Sequence, residues 1–146
     1  MNALALVLIL HVGSAATWLG AALWTPGDVR RTLALGPPHT EALLGRAGTA
    51  LSLDLWAGLA TLVTGLLAIG LHGGVPAPGI VVGLAAVLVR LGLHALGTLP
   101  AWRQVARALR AGDPAAAQGP ARRLSALAGP AHLLWAVALA GMVFTG

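Results

Sequence analysis

Four long apolar segments constrain this chain more than any other feature of its sequence. They cover about residues 3–24, 49–71, 79–99 and 124–144. About 20 consecutive apolar residues are enough for a helix to cross the hydrocarbon core of a bilayer. Only 9% of the residues are charged, whereas soluble domains average about 25%. The sequence therefore predicts one all-α domain over residues 1–146, a four-helix transmembrane bundle, and excludes a soluble globular enzyme.

The arginines predict how this bundle lies in the membrane. Eight of the nine fall in the two connections that join the first span to the second and the third to the fourth: Arg30, Arg31, Arg46, Arg103, Arg107, Arg110, Arg122 and Arg123. Because basic connections stay on the cytoplasmic side, we expect both connections in the cytoplasm and both termini outside, in a bacterial-type inner (plasma) membrane. Trp24 and Trp102 are expected at the membrane interface. The basic charge accompanies no DNA-binding motif, so we expect a lipid bilayer and no nucleic acid as partner.

Proline and glycine predict where the helices end. Pro26 is expected to end the first span just after Trp24, and Pro100 is expected to end or kink the third. An interfacial helix is expected over 102–110. The stretch 112–120 is rich in Ala, Gly and Pro, and we expect it to be a linker.

Five ionisable side chains lie inside the predicted spans: His11, Asp54, Arg90, His94 and His132. Such groups are costly in the bilayer, so they face the bundle interior and mark a partner, a cavity or a function. At helical spacing, each span has one face on which they join small residues; in the last span this face is Ser125, Gly129, His132 and Ala136. Small residues explain close helix packing, but packing does not explain three histidines and an arginine.

Histidines at similar depth on different helices predict a cofactor. Two neutral imidazoles suit the two axial positions of haem b, and His11, His94 and His132 are the candidate haem or metal ligands. Arg90 is a candidate partner for a haem propionate. Two further assignments stay open, an ion pair between Arg90 and Asp54 and a proton relay through His94. The chain has no Cys, which excludes disulfides and thiolate metal sites.

The first span contains His11, then Trp18 seven residues later, then Pro26. This order resembles the first helix of the HemJ-type membrane protoporphyrinogen oxidases, whose broader superfamily includes CopD-like copper-resistance proteins. The resemblance covers most of the chain and implies that His11 is a haem ligand. The chain has Gly83 where that family has a functional lysine in the third span, and it has no Lys at all. Cu(I) prefers soft ligands such as Cys and Met. The chain has no Cys and only two Met residues, so it offers few ligands for a CopD-like copper function.

Four functions are expected from these observations. The first is a small haem b-binding membrane protein with a redox or electron-transfer role, exchanging electrons with quinone or a membrane redox partner. The second is a HemJ-like porphyrinogen oxidase. The third is a structural membrane subunit, and the fourth is a metal or proton transporter. The sequence is also compatible with a homodimer, because one small bundle has little protein to surround a haem. The sequence does not decide whether the protein is an enzyme.

Overall fold

The computed structural model describes residues 2–144, and this part of the chain is helical almost throughout. Its elements, in order, are α1 (Ala3–Leu35), α2 (His39–His72), α3 (Pro78–Leu93), a π-helical turn (His94–Thr98), α4 (Leu99–Arg110) and α5 (Pro114–Val143). No strand occurs between residues 2 and 144. The predicted all-α class is confirmed.

Four helices are long and apolar enough to span a membrane: α1, α2, the continuous helix Pro78–Arg110 that joins α3 to α4, and α5. They contain 33, 34, 33 and 30 residues. At about 1.5 Å per residue they are about 45–51 Å long, well beyond the hydrocarbon core of about 30 Å. The predicted four-helix transmembrane bundle is confirmed, and its helices extend past the apolar layer. We call the end that carries the α1–α2 turn, α4 and the start of α5 the Arg-rich end.

The first helix is longer than the sequence predicts. It does not stop at Trp24 but continues through Pro26 to Leu35, and Gly36 ends it with a positive φ of 71°. A proline inside a membrane helix frees a backbone carbonyl, and this is tolerated where a neighbouring group satisfies that carbonyl. Here the neighbouring group comes from α5, which packs against α1.

The predicted linker over 112–120 is also wrong, because α5 begins at Pro114. The Asp113 carboxylate caps this helix by accepting the N–H of Ala116 at 2.9 Å. Proline suits the first helical turn, where its missing N–H has no intrahelical partner anyway. The alanines that follow have the highest helix propensity, and Ala117 is completely buried. Capping and burial therefore outweigh the turn signals in this stretch.

The Arg-rich end has an apolar core made by all four long helices. Its buried members are Val29, Leu33, Leu43, Ala47, Leu51, Ala101, Trp102, Val105, Ala106, Ala117, Ala121 and Leu124. Trp102 is only 8% exposed because it packs inside this core. Trp24 is 64% exposed and remains free to contact the interface. The helix expected over 102–110 is present as the larger part of α4, and its arginines are exposed.

The membrane half of the bundle is held by a smaller core around one aromatic ring. Trp18 is buried with Ala57, Ala86, Val87 and Ala138. Glycines make the close approaches possible: a Cβ on Gly83 would lie 3.1 Å from the Ala138 carbonyl oxygen. The ionisable residues that the sequence assigns to the interior of the first three spans agree with this packing: Asp54, Arg90 and His94 are buried, and His11 is half-buried.

The inner face of α5 is rotated from the predicted one. Gly129 and Ala136 are exposed, whereas Leu124 and Ala138 are buried. His132 is half-buried at the edge of the inner face. Large apolar side chains on the outer surfaces of all four helices are exposed, as expected where lipid is the surrounding solvent.

Candidate functional site

A buried charged cluster lies where α2, α3 and the π-helical turn meet. An Asp54 oxygen accepts from Arg90 Nη2 at 3.0 Å, and its other oxygen lies 2.6 Å from His94 Nδ1. Asp54, Arg90 and His94 are 6%, 2% and 4% exposed. The Arg90–Asp54 pair, one of the options open from the sequence, is present in the structure. His94 joins it as a third member.

Local helix geometry positions this cluster. Arg90 and His94 stand one turn apart on the same face of their helix, so both side chains reach Asp54 on α2. His94 opens the π-helical turn that ends at Thr98, two residues before Pro100. Proline at position 100 lacks the N–H that would bond to the Leu96 carbonyl, and its ring crowds that carbonyl. The wider π turn relieves this crowding, and single π turns of this kind often occur at functional sites.

Arg90 makes contacts on three sides. Its Nε donates to the Ala131 carbonyl on α5 at 3.1 Å, and its Cζ lies 3.9 Å from the ring centroid of Trp18 on α1. A guanidinium over a tryptophan face gains cation–π stabilisation, which is largest when the pair is desolvated. Arg90 thus joins all four long helices, and its tryptophan contact is one that the sequence does not predict.

Two polar atoms of this cluster have no hydrogen-bond partner among residues 2–144: Arg90 Nη1 and His94 Nε2. Both are buried. Nearly all buried polar groups in folded proteins are hydrogen-bonded, so each exception calls for a physical explanation. For His94 the explanation is the protonation of its ring, because its Nδ1 faces the Asp54 carboxylate. With Nδ1–H donated to the Asp54 carboxylate, Nε2 carries the free lone pair of the neutral ring.

Arg90 and His94 line a cavity of about 40 Å³ that extends toward the Arg-rich end. The cavity is otherwise mostly apolar, and its other polar lining residues are Asp54, Thr25, Thr98 and His132. Such a volume holds about three water molecules at about 10–15 Å³ for each. The two side chains that carry the unpartnered nitrogens therefore line this small space.

His132 has a structural role in this arrangement. Its Nε2 lies 3.4 Å from the Ala22 carbonyl oxygen on α1. Ala22 stands four residues before Pro26, so its carbonyl is the one that lacks an intrahelical donor. His132 is the neighbour that satisfies this carbonyl, which explains how α1 continues through Pro26. This contact uses the ring nitrogen that a haem or metal would need in the sequence-based prediction.

His11 lies apart from the charged cluster, in the half of the bundle away from the Arg-rich end. Its Nδ1 lies 3.0 Å from the Thr61 carbonyl oxygen and 3.0 Å from Thr64 Oγ1 on α2. Its Nε2 faces the Met142 sulfur on α5 at 3.4 Å. With Nδ1–H donated to the Thr61 carbonyl, Nε2 is the unprotonated ring nitrogen and faces this sulfur. No sequence pattern pairs Met142 with His11, because the two residues are 131 positions apart.

Two apolar clefts, of about 230 Å³ and 400 Å³, open on the two sides of His11. Both are lined by His11, Thr61, Val87 and Met142. The larger cleft is also walled by Trp18 and Trp135. Their combined volume lies within the range of ordinary small-molecule sites, about 300–1,000 Å³.

The three candidate ligand histidines thus occupy separate surroundings. His94 and His132 border the same 40 Å³ cavity, whereas His11 borders the two clefts. A haem shared by His94 and His132 would require the helices to move apart, because their cavity is far below the size of a ligand pocket. Within the described range 2–144, no group of three or more His, Cys, Asp or Glu residues is arranged to hold a metal ion. The haem and metal assignments remain predictions.

Comparison with known proteins gives no match for this chain, whether with family models, with curated proteins or with solved structures. The resemblance to HemJ-type and CopD-like proteins therefore stays a prediction from the first-span residues. The site geometry is the basis for the functional proposals that follow.

Proposed function

We propose that this multi-pass membrane protein binds and passes protons at the centre of its helix bundle, with His94 as the proton acceptor. The observation that carries the proposal is the pair of contacts at His94. Its Nδ1 lies 2.6 Å from an Asp54 oxygen, while Nε2 is buried and without a partner in the described part of the chain.

The chemistry of this arrangement favours proton uptake. Histidine is the side chain whose charge changes most readily near neutral pH. A proton that arrives at Nε2 makes His94 positive, and the Asp54 carboxylate 2.6 Å from Nδ1 stabilises that charge. Arg90 holds the same carboxylate in place through its second oxygen. The group that accepts the proton is therefore oriented before the proton arrives.

The cost of the cluster also supports a function. A buried ion pair is often no more stable than a well-packed apolar replacement, and ionisable groups inside membranes typically mark proton or ion pathways. Packing alone is already provided by the small residues and Trp18. Burying Asp54, His94 and Arg90 therefore costs free energy that helix packing does not require, and a role of these charges in proton transfer would explain why they are present.

Proton flux into proteoliposomes tests this proposal. Purified protein is reconstituted with a pH-sensitive dye inside, and a potassium diffusion potential drives proton entry. We expect flux above that of empty liposomes, reduced at least about tenfold in His94→Gln. His72→Gln is the matched control, because His72 is exposed at the end of α2, and it should retain the wild-type flux. Flux that equals empty liposomes, or that His94→Gln leaves unchanged, would contradict the proposal.

Haem b binding with a redox role is the second candidate function, and the His11–Met142 contact is the observation that favours it. Histidine and methionine form a known axial pair for haem iron, and Nε2 and the sulfur face each other at 3.4 Å with apolar clefts beside them. His11 and Met142 would hold the iron, and bound haem would supply one-electron transfer. The two donor atoms are of the right type, but at 3.4 Å they are in direct contact, so haem binding requires these side chains to move apart and the clefts to merge.

A visible spectrum of the purified protein, oxidised and then reduced with dithionite, tests haem binding. We expect a Soret band that sharpens with α and β bands on reduction and that His11→Ala removes. His132→Gln is the comparison that separates this ligand set from a bis-histidine one. Protein that stays colourless after haem is added would eliminate both the electron-carrier and the porphyrinogen oxidase hypotheses. A quinone, a redox partner and a homodimer become testable only after a positive spectrum.

A further inference from the structure

Two of the side chains that line the cavity beside the charged cluster are Arg90 and His94. Each carries one buried nitrogen without a partner among the residues described, Arg90 Nη1 and His94 Nε2. The remaining nitrogens of these side chains are occupied: Arg90 Nη2 and His94 Nδ1 by Asp54, and Arg90 Nε by the Ala131 carbonyl. The free atoms therefore belong to side chains that are fixed by their other contacts, so they form a preorganised pair of binding groups.

The charges around this cavity limit what it can take up. Arg90 is always protonated and is balanced by Asp54, so the cluster is neutral while His94 is neutral. A cation would meet the N–H groups of Arg90 Nη1 and would be repelled. An anion alone would leave a net negative charge in an apolar interior, which is costly. An anion that arrives with a proton on His94 Nε2 leaves the site neutral and accepts hydrogen bonds from both free groups.

The other elements around the cavity add one further titratable group, His132. The α1 residues that line it are Ala21, Ala22, Thr25, Pro26 and Val29, and none of them titrates. The α5 lining contributes His132, whose Nε2 is turned to the Ala22 carbonyl. From α2 come Leu51 and Asp54, and the latter is already paired. His94 is therefore the group that balances the charge of an incoming anion.

We propose that this cavity binds a small monovalent anion together with one proton, the anion lying between Arg90 Nη1 and His94 Nε2. The volume of about 40 Å³ limits the ligand to about three water-sized atoms, as in formate, nitrite, azide or a halide. The inference rests on the proposed role of His94 as proton acceptor, and it names the substrate class of that site. Proton passage through the bundle is then coupled to the anion.

Because the anion and the proton bind together, the affinity for the anion should depend on pH. If the anion binds only beside protonated His94, its affinity falls about tenfold per pH unit once His94 is mainly neutral. By reciprocity, the anion moves the midpoint of the His94 titration to higher pH. Water in the cavity would satisfy the same free atoms without producing either effect.

The test is a nitrogen NMR titration of histidine-labelled protein in lipid nanodiscs. The probe is sodium formate, compared with sodium sulfate at equal ionic strength, because sulfate is too large for the cavity. We expect the midpoint of the His94 signal to rise in formate and not in sulfate. Arg90→Lys keeps the positive charge near Asp54 but lacks the Nη1 group, and it should weaken formate binding at least tenfold. Arg46→Lys, at an exposed ion pair, is the matched control and should bind formate like the wild type.

The outcomes separate this inference from the proposed function. If His94 titrates in sulfate and formate does not move it, the cavity holds water only, and the anion inference is overturned while the proton acceptor stands. If His94 does not titrate in either salt, both are overturned. A formate effect on His11 or His132 with none on His94 would also overturn the inference. A shift at His94 that Arg90→Lys removes and Arg46→Lys retains supports it.

Discussion

The guanidinium of Arg90 lies over the indole ring of Trp18, with Cζ 3.9 Å from the ring centroid. This contact joins α1 to α3 at the level of the buried ion pair, and Trp18 is only 1% exposed. Trp18→Leu should lower the free energy of unfolding by about 2–3 kcal/mol, less than the about 3–5 kcal/mol of a Trp→Ala truncation, because leucine fills part of the space. Trp18→Phe keeps an aromatic face for the guanidinium and should cost less.

Unfolding by SDS in mixed micelles measures both variants. Trp56→Leu is the control, because Trp56 is 67% exposed on α2 and its change should stay within about 0.5 kcal/mol. If Trp18→Phe and Trp18→Leu lose the same stability, the aromatic face contributes nothing beyond its volume.

The Asp54–Arg90 pair should show strong coupling in a double-mutant cycle. Asp54→Leu leaves the Arg90 charge buried without its counter-ion, and we expect a loss of about 3–5 kcal/mol. Arg90→Met leaves Asp54 in the same position and should cost a similar amount. The double variant removes both charges and should be more stable than either single variant. Additive losses, measured by the same SDS titration, would show that the two charges do not depend on each other.

Close contact at Gly58 leads to a third prediction. A Cβ at this position would lie 2.7 Å from Trp18 Cε2 and 2.9 Å from Leu91 Cδ2. Gly58→Ala should therefore destabilise the bundle by about 1–3 kcal/mol, as overpacking does. Gly13→Ala is the matched control on α1, where nothing lies within 4 Å of the added carbon, and it should not destabilise. Equal effects at both positions in SDS unfolding would contradict the tight contact.

Much of this fold is readable from the sequence because lipid imposes simple rules. Apolar length places the four spans, and helical spacing places Asp54, Arg90 and His94 on inner faces. The ion pair follows from the need of each buried charge for a partner. The addition of His94 to the pair was not predicted, although Arg90 and His94 are four residues apart on one face. This four-residue spacing indicates that His94 can reach the same partner as Arg90.

Other features depend on neighbours that no local pattern reveals. Pro26 ends a helix in an isolated chain, but His132 from another helix satisfies the carbonyl that it frees. Trp102 stands near the end of a predicted span, but its burial in the core at the Arg-rich end depends on residues of the other helices. The inner face of α5 is misjudged because Leu124 and Ala138, rather than Gly129, meet the other helices. Tertiary packing overrides the local signal in each case.

The π-helical turn should be essential for the position of His94. A π turn contains one more residue per turn than an α-helix has, and Pro100 favours it because the proline ring crowds the Leu96 carbonyl of a regular helix. In Pro100→Ala the segment should relax to a regular α-helix, and the extra residue then rotates Arg90 and His94 by about 100° relative to α4 and away from Asp54. We expect a large loss of stability and of the His94 NMR signal typical of a bonded Nδ1. Leu96→Ala is the control, since Leu96 is 80% exposed, and it should keep both. Wild-type behaviour of Pro100→Ala would mean that the turn does not position His94.

The absence of cysteine from the chain makes the membrane orientation directly measurable. Gln104→Cys places a thiol on the exposed face of α4 among the arginines, and Gly74→Cys places one in the exposed connection between α2 and α3. Because the basic connections should stay in the cytoplasm, a membrane-impermeant maleimide should label Gly74→Cys in intact spheroplasts. It should label Gln104→Cys only in inverted vesicles. The opposite pattern would place the Arg-rich end outside, and the cavity beside His94, which extends toward that end, would then face the external medium instead of the cytoplasm.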